Sequence, residues 1–124
     1  MDKIIINSAH FLCNIGVTEE ERKNKQEIII DLKLFFDSLN AIQSDNIKNT
    51  INYSEIYELI KKIAEEKQYN LIEAMAENVA EEIFSNFNVN KVVVRIKKPN
   101  ALADRNVKYV AVEISRSKNF STLS

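Results

Sequence analysis

The clearest pattern in this chain is a strict alternation of side chains between residues 26 and 37. Every second position is apolar, in the order Ile28, Ile30, Leu32, Leu34 and Phe36. The positions between them are mostly charged. Because the side chains of a strand point alternately to its two faces, this pattern predicts a long strand from Gln26 to Asp37 with one face buried and one open.

Three further segments are predicted as strands from their content of Ile, Val and Phe: Lys3–Cys13, Lys91–Lys98 and Val107–Arg116. Both faces of the first segment are partly apolar, which predicts burial on more than one side. The apolar row of the second segment ends with a charged residue, Lys98, and Pro99 stops the strand.

The period changes after Tyr53. Apolar residues recur there at intervals of three and four, which predicts an amphipathic helix from about Ser54 to Lys67. A second helix is predicted from Leu71 to about Phe87. Its apolar face consists of Ile72, Met75, Ala76, Val79, Ala80, Ile83 and Phe87.

Asn70 and Glu73 stand at the start of the second helix with the spacing of a capping box. One interpretation is therefore that Glu73 only caps the helix. The other is a binding site, because a carboxylate beside the free N–H groups of a helix start can hold a ligand that offers two parallel N–H donors. These residues alone leave both interpretations open.

Two polar segments connect the regular elements. Residues 17–25 contain three consecutive glutamates, of which Glu21 is the last, and are predicted as a solvated loop or a short helical turn. Residues 38–52 are mostly polar, with a turn predicted at Ser44–Asn46.

The order of elements, β-β-α-α-β-β, predicts an α+β fold. Two hairpins would form a four-stranded antiparallel sheet with both helices on one face. Such a sheet leaves two long edges without hydrogen-bonding partners. Joining these edges between subunits would satisfy them, which predicts a ring-like homo-oligomer with binding sites where subunits meet.

Composition excludes several classes of protein. The chain has 124 residues, of which 45% are hydrophobic, so we expect a single domain over residues 1–118 followed by a short polar tail at residues 119–124. A net charge of −1 excludes a basic nucleic-acid footprint. No apolar run is long enough for a membrane span, and no secretory pattern is visible at Met1, so the expectation is a cytoplasmic protein without a membrane partner.

The scarcity of three residue types limits the chemistry further. Cys13, His10 and Gly16 are the only residues of their types. One cysteine and one histidine cannot form the usual structural zinc sites, and one glycine cannot form a phosphate-binding loop. We therefore expect chemistry that uses carboxylates, lysine and tyrosine, with no bound metal, nucleotide or other cofactor.

Four residues are candidates for that chemistry: Glu21, Tyr53, Glu73 and Lys98. Each has a structural alternative. Glu21 could be one solvated acid among three, and Tyr53 could only pack at a helix start. Glu73 could be a cap, and the ammonium of Lys98 could simply reach solvent from the end of a strand.

From about Ile4 to Arg116 the chain resembles the dihydroneopterin aldolases of folate biosynthesis. Four motifs in order carry the resemblance: Ile15-Gly16-Val17 with Glu21 and Gln26, Ser44-Asp45-Asn46 leading to Thr50-Ile51-Asn52-Tyr53, Asn70-Leu71-Ile72-Glu73 with Ala76-Glu77, and Lys98-Pro99. The resemblance implies the tunnelling fold. In that fold four subunits join their sheets into a sixteen-stranded barrel with the helices outside, and two rings commonly stack into an octamer.

The resemblance also implies a reaction. In this family 7,8-dihydroneopterin, a pterin, is cleaved by a retro-aldol step into 6-hydroxymethyl-7,8-dihydropterin and glycolaldehyde, and epimerisation to dihydromonapterin can accompany the cleavage. Neither a metal nor a Schiff base is needed, because the dihydropterin ring is its own electron sink.

By the same resemblance, each candidate residue has a role. Glu73 would bind the pterin ring, with help from backbone groups near Leu71. Lys98 would be the acid–base residue, and Glu21 would orient the substrate side chain. Tyr53 would line the pocket and assist proton movement from an adjoining subunit.

Three residues depart from the family's pattern: Lys97, Asn100 and Tyr109 stand where the family usually has serine or threonine, glycine, and a small residue. One alternative function is the dihydroneopterin triphosphate 2′-epimerase on the same fold. Lys97, Arg105 and Lys108 would favour it if they lay near the site. Another alternative is a non-catalytic oligomeric module that binds pterins.

Overall fold

The computed structural model describes residues 1–118, and nine strands and α-helices lie within them. In chain order these are β1 (Asp2–Ile15), α1 (Glu19–Lys23), β2 (Gln26–Phe36), α2 (Leu39–Ser44), α3 (Tyr53–Glu66), β3 (Gln68–Tyr69), α4 (Ile72–Asn86), β4 (Lys91–Lys98) and β5 (Val110–Ser117). Short 3-10 turns lie at Ile47–Asn49 and Ala103–Arg105. The predicted polar tail, residues 119–124, lies outside the described residues.

The strands form one sheet in the order β3-β1-β2-β4-β5. The pairs β1–β2, β2–β4 and β4–β5 are antiparallel, as the sequence predicts. The prediction of four strands is wrong by one, because Gln68 and Tyr69 form a short strand parallel to Asn14 and Ile15. Two residues are too few to show a period, so only the tertiary pairing defines this strand.

The helices α3 and α4 cover one face of the sheet and form the core with it, which confirms the α+β prediction. The alternating row predicted for β2 is buried along its whole length. Opposite it lie the buried faces of α3 and α4, which include Ile56, Ile60, Met75, Val79 and Ile83. Within residues 1–118, no helix has both the length and the apolar character needed to cross a membrane.

A β-bulge interrupts β1 between Ile6 and Ala9. Ile6 pairs with Leu32 and Ala9 pairs with Ile30, so two residues of β1 lie opposite the single residue Asp31 of β2. Ser8 adopts a left-handed conformation with φ of 62°. Its backbone N–H donates to Asp31 Oδ1 over 2.6 Å, which holds the extra residue in place.

The bulge changes which side chains of β1 face the helices. Before it, even-numbered residues pack against the core, and after it the buried residues are Phe11, Cys13 and Ile15. The burial predicted for both faces of this strand is therefore wrong. Ile5 and Leu12, on the other face, are 56% and 55% exposed in the single chain.

The polar segments hold short helices. The acidic residues 17–25 contain α1, which is one of the two predicted alternatives. Residues 38–52 contain α2 and the 3-10 turn Ile47–Asn49. The turn predicted at Ser44–Asn46 is confirmed by Asp45, which ends α2 in a left-handed conformation.

Candidate active site

The start of α4 differs from the predicted capping box. The helix begins at Ile72 with Leu71 as its N-cap, and no side chain caps it. Asn70 lies outside the helix, and its Oδ1 accepts a hydrogen bond of 2.9 Å from Arg22 Nη1. The interpretation of Asn70 and Glu73 as a capping pair is therefore wrong. The side-chain amide of Asn70, which the local sequence predicts as a helix cap, is bound instead by Arg22, 48 residues away in the chain.

Glu73 remains in the first turn of α4 with its side chain exposed. The first-turn N–H groups of an α-helix have no intrahelical acceptor, and here no side chain supplies one. A negative carboxylate thus lies beside unpaired backbone donors. This combination can hold a planar ligand that presents both N–H groups and a carbonyl oxygen.

A capping box does exist in this chain, but it involves Glu21. The Glu21 N–H donates to Thr18 Oγ1 over 3.1 Å, and the Thr18 N–H donates to Glu21 Oε1 over 3.3 Å. These reciprocal bonds fix the Glu21 carboxylate at the start of α1. A Cβ on Gly16 would lie 2.3 Å from the Cβ of Glu21, so only glycine fits beneath this side chain.

Arg22, which sequence reasoning missed, ties α1 to the start of α4. Its Nη1 donates over 2.9 Å to the carbonyl oxygens of Gly16 and Val17 and also to Asn70 Oδ1. A second link runs from the Gly16 N–H to the Tyr69 carbonyl oxygen over 3.0 Å. The contacts with Asn70 and Tyr69 join segments far apart in the chain, so no local pattern signals them.

Tyr69 anchors the segment that leads into α4. Its hydroxyl accepts a hydrogen bond of 2.8 Å from Asn78 Nδ2, in the second turn of that helix. Burial raises the pKa of the Tyr69 hydroxyl, and the hydrogen bond from Asn78 partly opposes this rise. The strand β3 is therefore held from both sides, by β1 and by α4.

Lys98 is the last residue of β4 and follows Ile96 on the row of side chains that faces the helices. Its side chain is half-buried. Burial raises the pKa of the Cys13 thiol to about 11, and the positive charge of Lys98 partly opposes that rise. The sheet register agrees with this, because Lys98 follows the Lys97–Ile29 pair and Ile29 pairs with His10, in the half of β1 that contains Cys13.

Three of the four candidate residues thus lie at the same end of β1. Glu21 follows this end on α1, Glu73 follows the strand paired with it, and Lys98 lies near Cys13. Two carboxylates and an ammonium beside an uncapped helix start can recognise a polar ring and move protons on it.

Tyr53 lies elsewhere in the chain. It begins α3, is 65% exposed, and lines an open cavity of about 570 Å³ with Tyr57 and the β1 residues Ile4, Ile5 and Ile6. Ten residues of extended strand separate Ile5 from Ile15, a distance of about 30 Å. The register of β1, β2 and β4 also puts about five residues of strand between the levels of Ile5 and Lys98, so a single chain does not bring Tyr53 to the other three residues.

Lys97 points away from the candidate site, to the sheet face opposite the helices. Its ammonium lies 3.1 Å from the Asp31 carboxylate and 5.1 Å from the centroid of the Tyr109 ring. The strand alternation in the sequence already places it on the opposite face from Lys98. Within residues 1–118, no group of three or more His, Cys, Asp and Glu side chains has an arrangement that could hold a metal ion.

Sequence comparison finds relatives over almost the whole chain. The family profile for dihydroneopterin aldolase, FolB, matches residues 4–115. The dihydroneopterin aldolase of Bacillus subtilis is 35% identical over 120 residues, which cover 96% of this chain and 100% of that protein. The dihydroneopterin aldolase of Escherichia coli is 30% identical over 119 residues, which cover 96% of this chain and 96% of that protein.

Two solved structures have the same fold. A Vibrio cholerae protein described as a dihydroneopterin aldolase superposes with a TM-score of 0.90 at 31% identity, over 95% of this chain and 98% of that one. The Escherichia coli dihydroneopterin aldolase in complex with neopterin superposes with a TM-score of 0.89 at 30% identity, over 94% of this chain and 100% of that one.

Proposed function

Because the chain belongs to the dihydroneopterin aldolase family, we propose that it cleaves 7,8-dihydroneopterin into 6-hydroxymethyl-7,8-dihydropterin and glycolaldehyde. The observation that carries the proposal is the placement of Glu21, Glu73 and Lys98 at one end of β1. Each of these residues matches a position that the family resemblance assigns to catalysis or binding.

Glu73 recognises the pterin ring in this proposal. The ring presents an N–H at position 3 and an amino group at position 2, side by side on one edge. A carboxylate accepts both donors in a fork, as it does from a guanidinium group. The exposed position of Glu73 leaves it accessible, and the uncapped N–H groups near Leu71 can donate to the ring oxygen.

Lys98 and Glu21 act on the trihydroxypropyl side chain of the substrate. The C2′ hydroxyl loses a proton and the C1′–C2′ bond breaks, which releases glycolaldehyde. The bonding electrons move into the C6=N5 imine of the ring, and C1′ is then protonated. Lys98 is the acid–base residue for these transfers, and Glu21 holds the hydroxyl groups and waters in position.

The dihydropterin ring stores the electrons of the broken bond, so the proposed reaction needs neither a metal ion nor a Schiff base. Recombination of the same two fragments on the other face of the carbonyl would give the 2′ epimer, dihydromonapterin. A modest epimerase activity is therefore part of the proposal.

Tyr53 completes the site from a neighbouring subunit. It lies about 30 Å along β1 from the end next to Glu21 and Glu73, and about 17 Å of strand separates the level of Ile5 from that of Lys98, so its own chain does not place it there. Ring assembly would remove this separation, because the start of β1 in one subunit would come close to the site end of the next. Tyr53 would then line the pocket opposite Glu73 and assist proton transfer.

The sheet has the open edges that such assembly requires. Within residues 1–118 of the single chain, β5 pairs only with β4, and β1 pairs with β3 only at Asn14 and Ile15. Four chains, each with four long strands, would close into a sixteen-stranded barrel with the helices outside. The ring could remain a tetramer or stack with a second ring into an octamer.

The test of this function is a direct assay. Purified protein is incubated with 7,8-dihydroneopterin, and glycolaldehyde and 6-hydroxymethyl-7,8-dihydropterin are quantified as they form. The expected result is equal release of the two products, with Lys98→Met protein as the inactive control. Turnover of the triphosphate without cleavage would favour the epimerase, and binding without turnover of either compound would favour the non-catalytic module.

A further inference from the structure

Arg22 connects two segments that each carry one residue of the site. Its Nη1 lies 2.9 Å from three oxygens, those of Gly16 and Val17 on the loop after β1 and the side-chain oxygen of Asn70 before α4. The guanidinium group is partly buried between the two segments. A donor shared by oxygens from both sides acts as a cross-link between them.

Both ends of this cross-link are rigidly attached to a site residue. Glu21 is adjacent to Arg22, and its capping box with Thr18 fixes its carboxylate relative to α1. Glu73 follows Asn70 by three residues, in the first turn of α4. A change in the contact between Arg22 and Asn70 therefore changes the spacing between the two carboxylates.

The helix α1 depends on such contacts for its position. It has five residues and none of them is buried, so packing against the core does not hold it. Asn14 Nδ2 donates to the Arg22 carbonyl oxygen over 2.7 Å, which attaches α1 to β1. The contact with Asn70 attaches α1 to the segment leading into α4.

We propose that Arg22 is a positioning residue that sets the distance between Glu21 and Glu73. This inference rests on the proposed function, in which Glu73 holds the ring and Glu21 holds the hydroxylated side chain. A substrate that spans both carboxylates needs them at a fixed separation, whereas a ligand with the ring alone needs only Glu73. Arg22 thus favours pterins with a hydroxylated chain at C6 over bare pterins.

The first experiment compares two ligands in Arg22→Met protein. The expected kcat for 7,8-dihydroneopterin is roughly 10- to 100-fold lower, because a displacement of about 1 Å in a catalytic group can have this effect. The dissociation constant for 6-methyl-7,8-dihydropterin, which has the ring without the hydroxylated chain, should stay within about twofold. Arg22→Lys should recover part of the kcat, since its ammonium can reach some of the same oxygens. Lys23→Met, on the same helix, is the matched control and should behave like wild type.

A double-mutant cycle separates positioning from general destabilisation. If Arg22 acts through Glu21, then Glu21→Gln should lower kcat much less in Arg22→Met protein than in wild type. Full additivity of the two effects would overturn the proposal, and so would a wild-type kcat in Arg22→Met protein. Weaker binding of 6-methyl-7,8-dihydropterin would also overturn it, because Glu73 itself would then depend on Arg22.

A second cycle tests the cross-link without any need for turnover. Arg22→Met and Asn70→Ala should each lower the urea midpoint of unfolding, and the double variant should unfold close to Arg22→Met alone. If the urea midpoints of the variants are non-additive but the protein cleaves no dihydroneopterin, the cross-link is supported and the proposed function is overturned. If the two shifts in urea midpoint add up in a protein that cleaves dihydroneopterin, the role of Arg22 is overturned and the proposed function stands.

Discussion

Lys97 and Tyr109 contact each other across the β4–β5 pair, with the Lys97 ammonium 5.1 Å from the centroid of the Tyr109 ring. The same ammonium forms an ion pair with Asp31, whose carboxylate also accepts the Ser8 N–H at the bulge of β1. Two of the three departures from the family pattern therefore belong to one network. This network lies on the sheet face away from Lys98, and its lysine is already paired with a carboxylate, which removes the argument that it serves a substrate phosphate.

Replacement of Lys97 by methionine should destabilise the chain by about 1 kcal/mol, because Asp31 would lose its partner while it stays partly buried. The side chains of Lys97 and Asp31 are 18% and 20% exposed, so solvent screens this pair less than a surface pair. Urea unfolding measures the effect. Arg95→Met is the control, because Arg95 and Glu113 are 45% and 49% exposed and its loss should shift the midpoint less. A larger shift for Arg95 would contradict this ranking.

Substitution of Glu73 by glutamine should weaken pterin binding by about 100-fold, since a charge-assisted fork becomes a contact with an amide that carries its own N–H donors. The unfolding free energy should change little, because the side chain is exposed and no side chain caps α4. Fluorescence titration with neopterin and urea unfolding measure the two quantities. Loss of stability with normal neopterin binding would restore the capping role for Glu73.

Substitution of Lys98 by methionine should separate binding from chemistry. The proposed ring contacts of Glu73 would remain, so the dissociation constant for neopterin should change by less than about threefold. In contrast, kcat should fall by about 100- to 10,000-fold because the proposed acid–base group is removed. Steady-state kinetics and equilibrium titration provide the comparison. Equal loss of binding and turnover would place Lys98 in substrate recognition instead.

Mixed oligomers test the proposal that Tyr53 of one subunit serves the site of its neighbour. A chain with Tyr53→Phe and a chain with Lys98→Met should each be nearly inactive as pure preparations. When the two are denatured together and refolded at equal amounts, about a quarter of the interfaces combine an intact Tyr53 with an intact Lys98, so about a quarter of wild-type activity should return. Refolded single variants are the controls. No gain in activity above these controls would show that each chain uses its own Tyr53.

Cys13 should make stability depend on alkaline pH. Burial raises its pKa from 9.0 to about 11 in the folded chain. The unfolded chain therefore loses the thiol proton first, so the stabilisation linked to Cys13 is complete below pH 9 and is lost as the pH rises toward 11. Relative to Cys13→Ala, wild type should lose up to about 1.4 kcal/mol per pH unit in this window. Urea unfolding at several pH values measures the difference, and parallel curves for the two proteins would contradict the shift.

The regular elements are predictable because their patterns are local and long. The row from Ile28 to Phe36 has enough repeats to define β2, and Pro99 marks the end of β4 within the sequence itself. Both long helices show their buried faces as a period of three and four residues. The candidate residues Glu21, Glu73 and Lys98 were chosen by their types at motif positions, and their roles stay predictions.

The contacts that arrange the site are not predictable in this way. Asn70 has the residue type and the spacing of a helix cap, but its side chain accepts a hydrogen bond from Arg22, which lies 48 residues away in the sequence. The real capping box, at Thr18 and Glu21, occurs in a charged segment with no apolar period to mark a helix. In the first case a contact between distant segments overrides the local propensity. In the second case the Thr18-x-x-Glu21 spacing is itself a local capping signal, but no apolar period accompanies it.

The bulge in β1 has a consequence for folding fidelity. A uniformly alternating strand can slip by two residues against its neighbour and keep every side chain on its proper face. In β1 such a slip would either move Ser8 away from Asp31, which breaks its hydrogen bond, or, if the bulge stayed opposite Asp31, turn Ile6 or Ala9 outward. The strand therefore has only one alignment on β2 that satisfies both halves at once. Most of the outer edge of β1 has no strand partner within residues 1–118. The bulge therefore also disfavours pairing of this edge with a regular strand of another chain.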